Sequence, residues 1–253
     1  MSGKGPDSSG GLSEGGGTYM PAGAARRREG LLSREQPDST RHRLIEAGQQ
    51  LFAKHGYSGA GVRDITTAAG TNIASVNYHF GGKEALYIAV FERMLTGLRN
   101  QRVEAVAAVM PEARRSGDLE LVLRAFCEAF MRPLADPQRA ADMLSLYLME
   151  VASPRLPAGM FKHEMVEPME RLMIDAMQVV APGLSREDAV LSMHSMVGQL
   201  VHLVQHWRLE RGGEAVWPGQ EEVQQKVSHV VRFTAAGIRD RMAGGSDVAR
   251  QSA

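Results

Sequence analysis

From Thr40 onward, apolar residues recur at spacings of three and four, the mark of helices that bury one face, and no alternating stretch of useful strand length interrupts them. Leu44, Ala47, Gly48, Leu51 and Phe52 predict a first helix over 40–55, with Asp38 and Ser39 as caps and Gly56 as its stop. A helix of barely two turns follows over 62–69, burying Val62, Ile65 and Ala69, and Gly70 supplies the left-handed residue that ends it. Asn72 is a suitable N-cap for a third helix running to about His79. In that helix Ile73, Val76 and Phe80 face inward, so 74, 75, 77 and 78 face out. Gly81 and Gly82 break the chain, and Lys83 opens a longer helix whose stripe of Leu86, Val90, Met94 and Leu98 continues toward Val109 until Pro111 stops it.

The remaining chain reads as helix throughout. Asp118 caps a helix over 119–131, and Asp136 caps one that has Pro137 in its first turn and runs to Val151. Pro154 and Pro157 bracket a short break before a helix over 158–180, which Pro168 should kink. Ser185 with Asp188 forms a capping box opening a helix to Glu210. WPG at 217–219 precedes a last helix over 220–242, striped by Val223, Val227, Val230, Thr234 and Ile238. The expected fold is all-α, with about nine helices. It divides into a disordered N-terminal tail (1–37), a three-helix domain (38–84), a larger helical domain (85–243) and a disordered C-terminal tail (244–253).

Composition narrows the class. The chain has 253 residues, 43% of them apolar, enough for a sizeable core. No run approaches the length of a membrane span, and the Gly- and Ser-rich start lacks the apolar region of a secretory signal. A single cysteine, Cys127, fits a reducing cytoplasm, and its neighbours Phe126, Ala129 and Phe130 favour a small buried hydrophobe over a redox sensor. The net charge of zero hides an asymmetry: residues 39–99 carry 7 positive and 4 negative side chains, residues 100–253 carry 17 and 20. If either part meets a polyanion, it is the N-terminal one. Arg26 to Arg28 could act as a basic arm, although a solvated charge run is the simpler reading, and Met20 is an alternative start.

The stretch from Val62 to Phe80 has the properties a recognition helix needs, narrow and polar where it enters a major groove and apolar behind. Asn77 could pair bidentately with adenine, Ser75 could bond either base type, and the Ala74 methyl could meet a thymine methyl. Tyr78, His79 and Lys83 suit phosphates, Arg63 and Thr67 could clamp the flanking backbone, and Thr71 and Asn72 at the turn complete the candidate DNA-binding set. A polar three-helix subdomain with no nucleic-acid role remains the alternative on spacing alone.

The run GYSGAGVRDITTAAGTNIASVNYHFGGKEALY resembles the N-terminal domain of the TetR family of transcriptional regulators, with its GY, its RDI followed by AG, its YHF ending and its KEAL opening the next helix. The likeness covers about Arg41 to Leu98 and is most similar to the branch typified by the CecR regulators. It implies a dimeric DNA-binding regulator, usually a repressor, that is released from a palindromic double-stranded operator when a small molecule enters the C-terminal domain. It implies no cofactor beyond that unidentified effector, no membrane partner and a cytoplasmic, nucleoid-associated location. The sequence departs from the family at Ala60 and Gly61, where Ser or Thr commonly caps the second helix, at Thr66 in place of a small Ala, and at Asn77 in place of the more frequent Tyr.

In the second domain the helix ending at Glu210 is apolar on more than one face. Val197, Leu200, Val204 and Trp207, with Val227 and Val231 of the last helix, are the expected dimer interface. Thirteen of fifteen methionines lie between Met94 and Met242, and such flexible side chains suit an adaptable apolar pocket as well as they suit a core. The candidate pocket residues are Phe126, Phe130, Met143, Tyr147, His163, Glu167, Met173 and His194. His202 and His206 have the i, i+4 spacing of helix-borne metal ligands, but interface histidines are preferred. No catalytic motif is present, so the chain reads as a regulator and not an enzyme. The alternatives are a TetR-like DNA binder acting through protein partners without an inducer, and an all-α enzyme using the C-terminal cavity.

Overall fold

The helical periodicity is realised as nine α-helices among the described residues of the computed structural model, which are 40–135, 137–210 and 218–251. The expected 1–37 tail with Arg26 to Arg28, the Asp136 cap and Trp217 lie outside those residues. The helices are α1 (Thr40–Gly59), α2 (Val62–Ala68), α3 (Ala74–Phe80), α4 (Lys83–Ser116), α5 (Leu119–Met131), α6 (Pro137–Ala152), α7 (Glu167–Val180), α8 (Arg186–Glu210) and α9 (Gln220–Gln251). No strand occurs among the described residues, and none of the described helices is long and apolar enough to cross a membrane.

The caps follow from local chemistry. Asp118 Oδ1 accepts the backbone N–H groups of Glu120 and Leu121 at 2.9 and 3.3 Å and so starts α5. The Ser185 hydroxyl accepts the Asp188 N–H at 3.0 Å and donates to the Asp188 carboxylate at 2.7 Å, opening α8. α1 contains a non-helical Gly56 (φ 69°, ψ 174°), the expected stop, after which one more helical turn runs to Gly59.

Two prolines act differently from expectation. Pro111 does not stop α4; it sits exposed inside the helix, which continues to Ser116. Val106 and Ala113, both fully buried, pack on either side of it, and the carbonyl it leaves without a partner belongs to the exposed Ala107, where water can reach it. Pro168 does not bend a single continuous α-helix. The chain widens into a π-turn over Lys162–Val166, and the proline then falls in the first turn of α7. The carbonyl of Glu164, four residues before Pro168, cannot receive its N–H and instead accepts Arg99 Nη1 at 2.9 Å. The last helix also runs beyond Met242, to Gln251.

Residues from Thr40 on form one compact unit containing two apolar cores. The first is built on Leu44, Phe52, Ile65, Val76, Leu86 and Phe91, and the second on Val122, Phe126, Met173, Met177, Leu200 and Val231. The change from one to the other falls inside α4, between Phe91 and Leu95, so the 84/85 division does not separate two packing units. Leu146 of α6, with no exposed surface, belongs to the first core although it lies far along the chain.

Candidate nucleic-acid interface and interior cavity

α2 and α3 meet at a turn that only a left-handed residue closes. Gly70 has φ 62°, and its N–H donates to the Thr67 carbonyl at 3.1 Å, while the Thr71 N–H returns to the Thr66 carbonyl at 2.8 Å. Thr66, one of the departures from the family pattern, is buried, and its hydroxyl donates to the carbonyls of Val62 and Arg63, both at 3.0 Å. It therefore adds no unsatisfied group to the α2 face. Gly61 offers no side-chain cap to α2, and the Asp64 carboxylate lies back over that glycine.

α3 is fixed at its start by Asn72, whose Oδ1 accepts both the Ser75 N–H at 3.0 Å and the Ser75 hydroxyl at 3.1 Å. Ser75 is consequently half-buried, with its hydroxyl hydrogen already committed. Val76 is buried and Phe80 half-buried beneath the Arg41 guanidinium, 5.2 Å from its ring. Ile73, expected inward, is 51% exposed, because it precedes the first full turn of α3 and the helical period does not reach back to it. Asn72, Ala74, Asn77 and Tyr78 are exposed, Tyr78 by 84%, and Arg63 and Thr67 stand exposed on α2. His79 is half-buried edge-on against Tyr78 at 5.0 Å, and the Thr71 hydroxyl is buried.

Lys83 opens α4 after Gly82, which supplies no side-chain cap, so the first N–H groups of the helix have no capping side chain from that position. Its ammonium lies over the Tyr57 ring at 4.6 Å, and the Arg155 guanidinium lies over the same ring at 4.5 Å. Burial, and after it the neighbouring Arg155 charge, push the Lys83 pKa below its ordinary value.

A cavity of about 480 Å³ opens in the second core. Phe126, Phe130, Met143, Tyr147 and His194 line it as expected. Met173 does not; it is fully buried among core side chains. His163 and Glu167 do not line it either; their side chains are 65% and 38% exposed and pair with each other at 2.9 Å, the bond that holds Glu167 below the usual carboxylate range. Glu170, one turn further along α7, takes the expected place of Glu167 and is held by His194 Nε2 at 2.5 Å. Sequence reading missed Arg102 of α4, a buried cation in the cavity wall. The available signal was its register: it falls on the buried stripe that includes Leu95, Val106 and Ala113.

α4 and α6 each touch both the cavity and the first core. Met94, Leu95 and Leu98 of α4 line the cavity, while Leu86, Tyr87 and Val90 pack under α1 to α3. Met143, Leu144 and Tyr147 of α6 face the cavity, while Leu146 fills the first core. Polar contacts tie the two helices together. The Tyr87 hydroxyl donates to Glu150 Oε2 at 3.0 Å, and Glu150 Oε1 accepts the N–H groups of Arg155 and Leu156 at 2.7 and 2.8 Å. Burial, and then the Glu150 hydrogen bond, keep the Tyr87 phenol protonated well above its ordinary range.

The residues expected at a dimer interface lie elsewhere. Leu200, Trp207, Val227 and Val231 are buried within the chain's own core, and Val197 and Val204 line the cavity, so the periodic apolar face of α8 is spent internally. Among the residues that α8 and α9 leave exposed are Leu191 (47%), Gly198 and His202 on one helix and His229, Phe233 (63%) and Gly237 on the other. His202 and His206 stack with ring centroids 5.8 Å apart, and among the described residues no group of three or more potential metal ligands gathers.

A short exposed polar helix, backed by two supporting helices and continuous through α4 with a hollow helical body, defines a helix-turn-helix protein of the DNA-binding class. A family model described as "Bacterial regulatory proteins, tetR family" matches residues 44–90, and one described as "Tetracyclin repressor-like, C-terminal domain" matches residues 124–237; together they span more than half the chain. The protein belongs to the TetR family of bacterial transcriptional regulators. It is 32% identical over 114 residues to the HTH-type transcriptional repressor AcnR of Corynebacterium efficiens, covering 45% of this chain and 50% of that protein. It is 25% identical over 171 residues to the HTH-type transcriptional dual regulator CecR of Shigella flexneri, covering 65% of this chain and 75% of that one. The chain spans half or less of the length of the first three curated relatives it matches. A TetR family transcription regulator from Marinobacter aquaeolei VT8 shares the fold, with a TM-score of 0.56 at 21% identity over 79% of this chain and 97% of that chain.

Proposed function

We propose that this chain is a homodimeric, ligand-responsive transcriptional repressor that acts at the nucleoid in the cytoplasm and leaves a palindromic operator when a small apolar or amphipathic molecule fills its cavity. The observation that carries the reading is the division of α3, with Val76 buried behind and Ala74, Asn77 and Tyr78 exposed in front. Asn77 reads a base, and Ile73, exposed beside Ala74, adds a second apolar contact suited to a thymine methyl. Lys83 and the start of α4 hold a backbone phosphate.

Dimerisation uses the exposed sides of α8 and α9, centred on Leu191, Gly198, Phe233 and Gly237. A Cβ added at either glycine would meet nothing within 4 Å beyond its own helix, which leaves room for a second helix pair to approach, and Gly198 also borders the cavity. Ligand binding is coupled to DNA binding because α4 and α6 border both the cavity and the first core, so a molecule that spreads the cavity changes the support beneath α1 to α3.

The test is binding-site selection on genomic DNA followed by mobility-shift titration. Asn77→Ala is expected to lower affinity for the selected site by about 5- to 150-fold, equivalent to roughly 1–3 kcal/mol, while leaving random DNA nearly unchanged. Lys83→Ala weakens both and flattens the salt dependence by about one unit of slope. Equal losses on selected and random DNA for Asn77→Ala would remove the base-reading role.

A further inference from the structure

Arg102 stands in the wall of the second-core cavity with only 8% of its surface exposed. Among the described residues its positive charge has no counter-charge: no carboxylate lies within ion-pair distance, Nη1 reaches only the thioether sulfur of Met165 at 3.3 Å, and Nε is buried without any acceptor. The guanidinium rests on the face of Phe130, 4.3 Å from the ring centroid, which offsets part of the desolvation cost but supplies no anion. The acid of the same wall, Glu170, is engaged by His194. Burial pulls the Arg102 pKa down to about 10, so the side chain still carries its charge at neutral pH.

A buried, unpaired guanidinium is costly, and a chain gains nothing in stability from keeping one. Around it the wall is almost wholly apolar, with Leu98, Phe126, Met165 and Met169 among its members. The volume of about 480 Å³ lies in the range of small-molecule sites. The missing partner is therefore an anion attached to something apolar, and a planar carboxylate matches the guanidinium fork.

We propose that the cavity takes an anionic amphiphile, a single apolar chain ending in a carboxylate, whose headgroup pairs with Arg102 while the chain lies among the Met and Phe side chains. This rests on the reading of the cavity as the effector site and specifies the chemical class of the effector.

The test compares three probes with one tail and different headgroups, dodecanoate, dodecanol and dodecylammonium, each titrated below its micelle concentration into the full chain by isothermal calorimetry. Dodecanoate is expected to bind at least tenfold more tightly than dodecanol, as a charge-assisted hydrogen bond to a buried group implies, and dodecylammonium more weakly than either. Arg102→Met, which keeps the volume and removes the charge, brings dodecanoate and dodecanol to within about threefold of each other and does not lower the melting temperature. Arg102→Lys retains the preference for the anion. Equal binding of carboxylate and alcohol by the unaltered chain, or a preference that survives in Arg102→Met, overturns the assignment. Mobility shifts on the same preparations without amphiphile report separately on the regulator: absence of DNA binding would overturn that reading, and the headgroup ratio would still decide this one.

Discussion

The bond between Tyr87 and Glu150 joins α4 to α6 across 63 positions of sequence, and its strength can be worked from its surroundings. The Tyr87 ring is packed edge-on against Phe52 and Tyr57 and tilted against Phe91, at centroid distances of 5.0, 5.2 and 5.0 Å. Tyr87→Phe keeps that packing and removes one hydroxyl. A hydrogen bond to a charged group contributes roughly 1.5–3 kcal/mol, and the half-exposed Glu150 carboxylate, which keeps its two backbone donors, places this one at about 1–1.5 kcal/mol. For a chain of this size that lowers the melting temperature by about 2–6 °C. Glu150→Gln costs about 1–2 kcal/mol, because one amide oxygen must now serve donors that two carboxylate oxygens shared. Thermal and denaturant unfolding of both single variants and the double variant, followed by circular dichroism, closes a double-mutant cycle. We expect a coupling energy of about 1 kcal/mol. Additivity to within about 0.3 kcal/mol would refute the reasoning, since it would mean that the hydroxyl and the carboxylate are not partners in solution.

Asp118→Ala removes the acceptor of two N–H groups at the start of α5 and is expected to cost about 1 kcal/mol, read as a shift in denaturant midpoint with an unchanged slope. Cys127 is fully buried, and burial pushes its thiol from an ordinary 9.0 up to about 12, with Arg124 opposing and Glu128 adding slightly. Its folded pKa lies above the unfolded one, so the stability that the neutral thiol contributes is present below pH 9 and is lost as pH rises toward 12. Iodoacetamide at pH 8 should therefore alkylate the native chain far more slowly than the unfolded chain, and Cys127→Ala should lessen the fall in stability above pH 9. Phe233→Asp places a charge on the exposed side of α9 and should halve the mass seen by light scattering at micromolar concentration without changing the circular dichroism spectrum; an unchanged dimer would move the interface elsewhere.

Much of the fold was legible because its determinants act within four residues. The Asp118 and Ser185 caps, the left-handed Gly70 and the Asn72 start of α3 are hydrogen bonds between near neighbours, and the three-and-four spacing marks buried stripes without reference to what covers them. The two faces of α3 were legible for the same reason, apart from Ile73, whose position just before the first full turn leaves it outside the period. The Pro111 reading failed because it treated a lost hydrogen bond as decisive, and the Pro168 reading found the place of the distortion but not its form, a π-turn in front of the proline. Packing of Val106 and Ala113 holds α4 through Pro111, and Arg99 supplies the donor that Pro168 cannot.

What the sequence by itself determined is the set of helices, their order and the division of α3 into a buried back and an exposed polar front, since these rest on local hydrogen bonding and on a period of hydrophobicity. Which apolar face of α8 is used internally, where the two cores divide within α4, that Leu146 joins the distant core, and that Arg102 is buried with no counter-charge among the described residues were decided only by the tertiary structure. A side chain's burial and its partners depend on elements that are remote in sequence, as Arg99 with Glu164 and Tyr87 with Glu150 illustrate. The register of Arg102 on the buried stripe of α4 marks it as inward-facing, but no local pattern tells whether an inward arginine meets a counter-charge or a cavity.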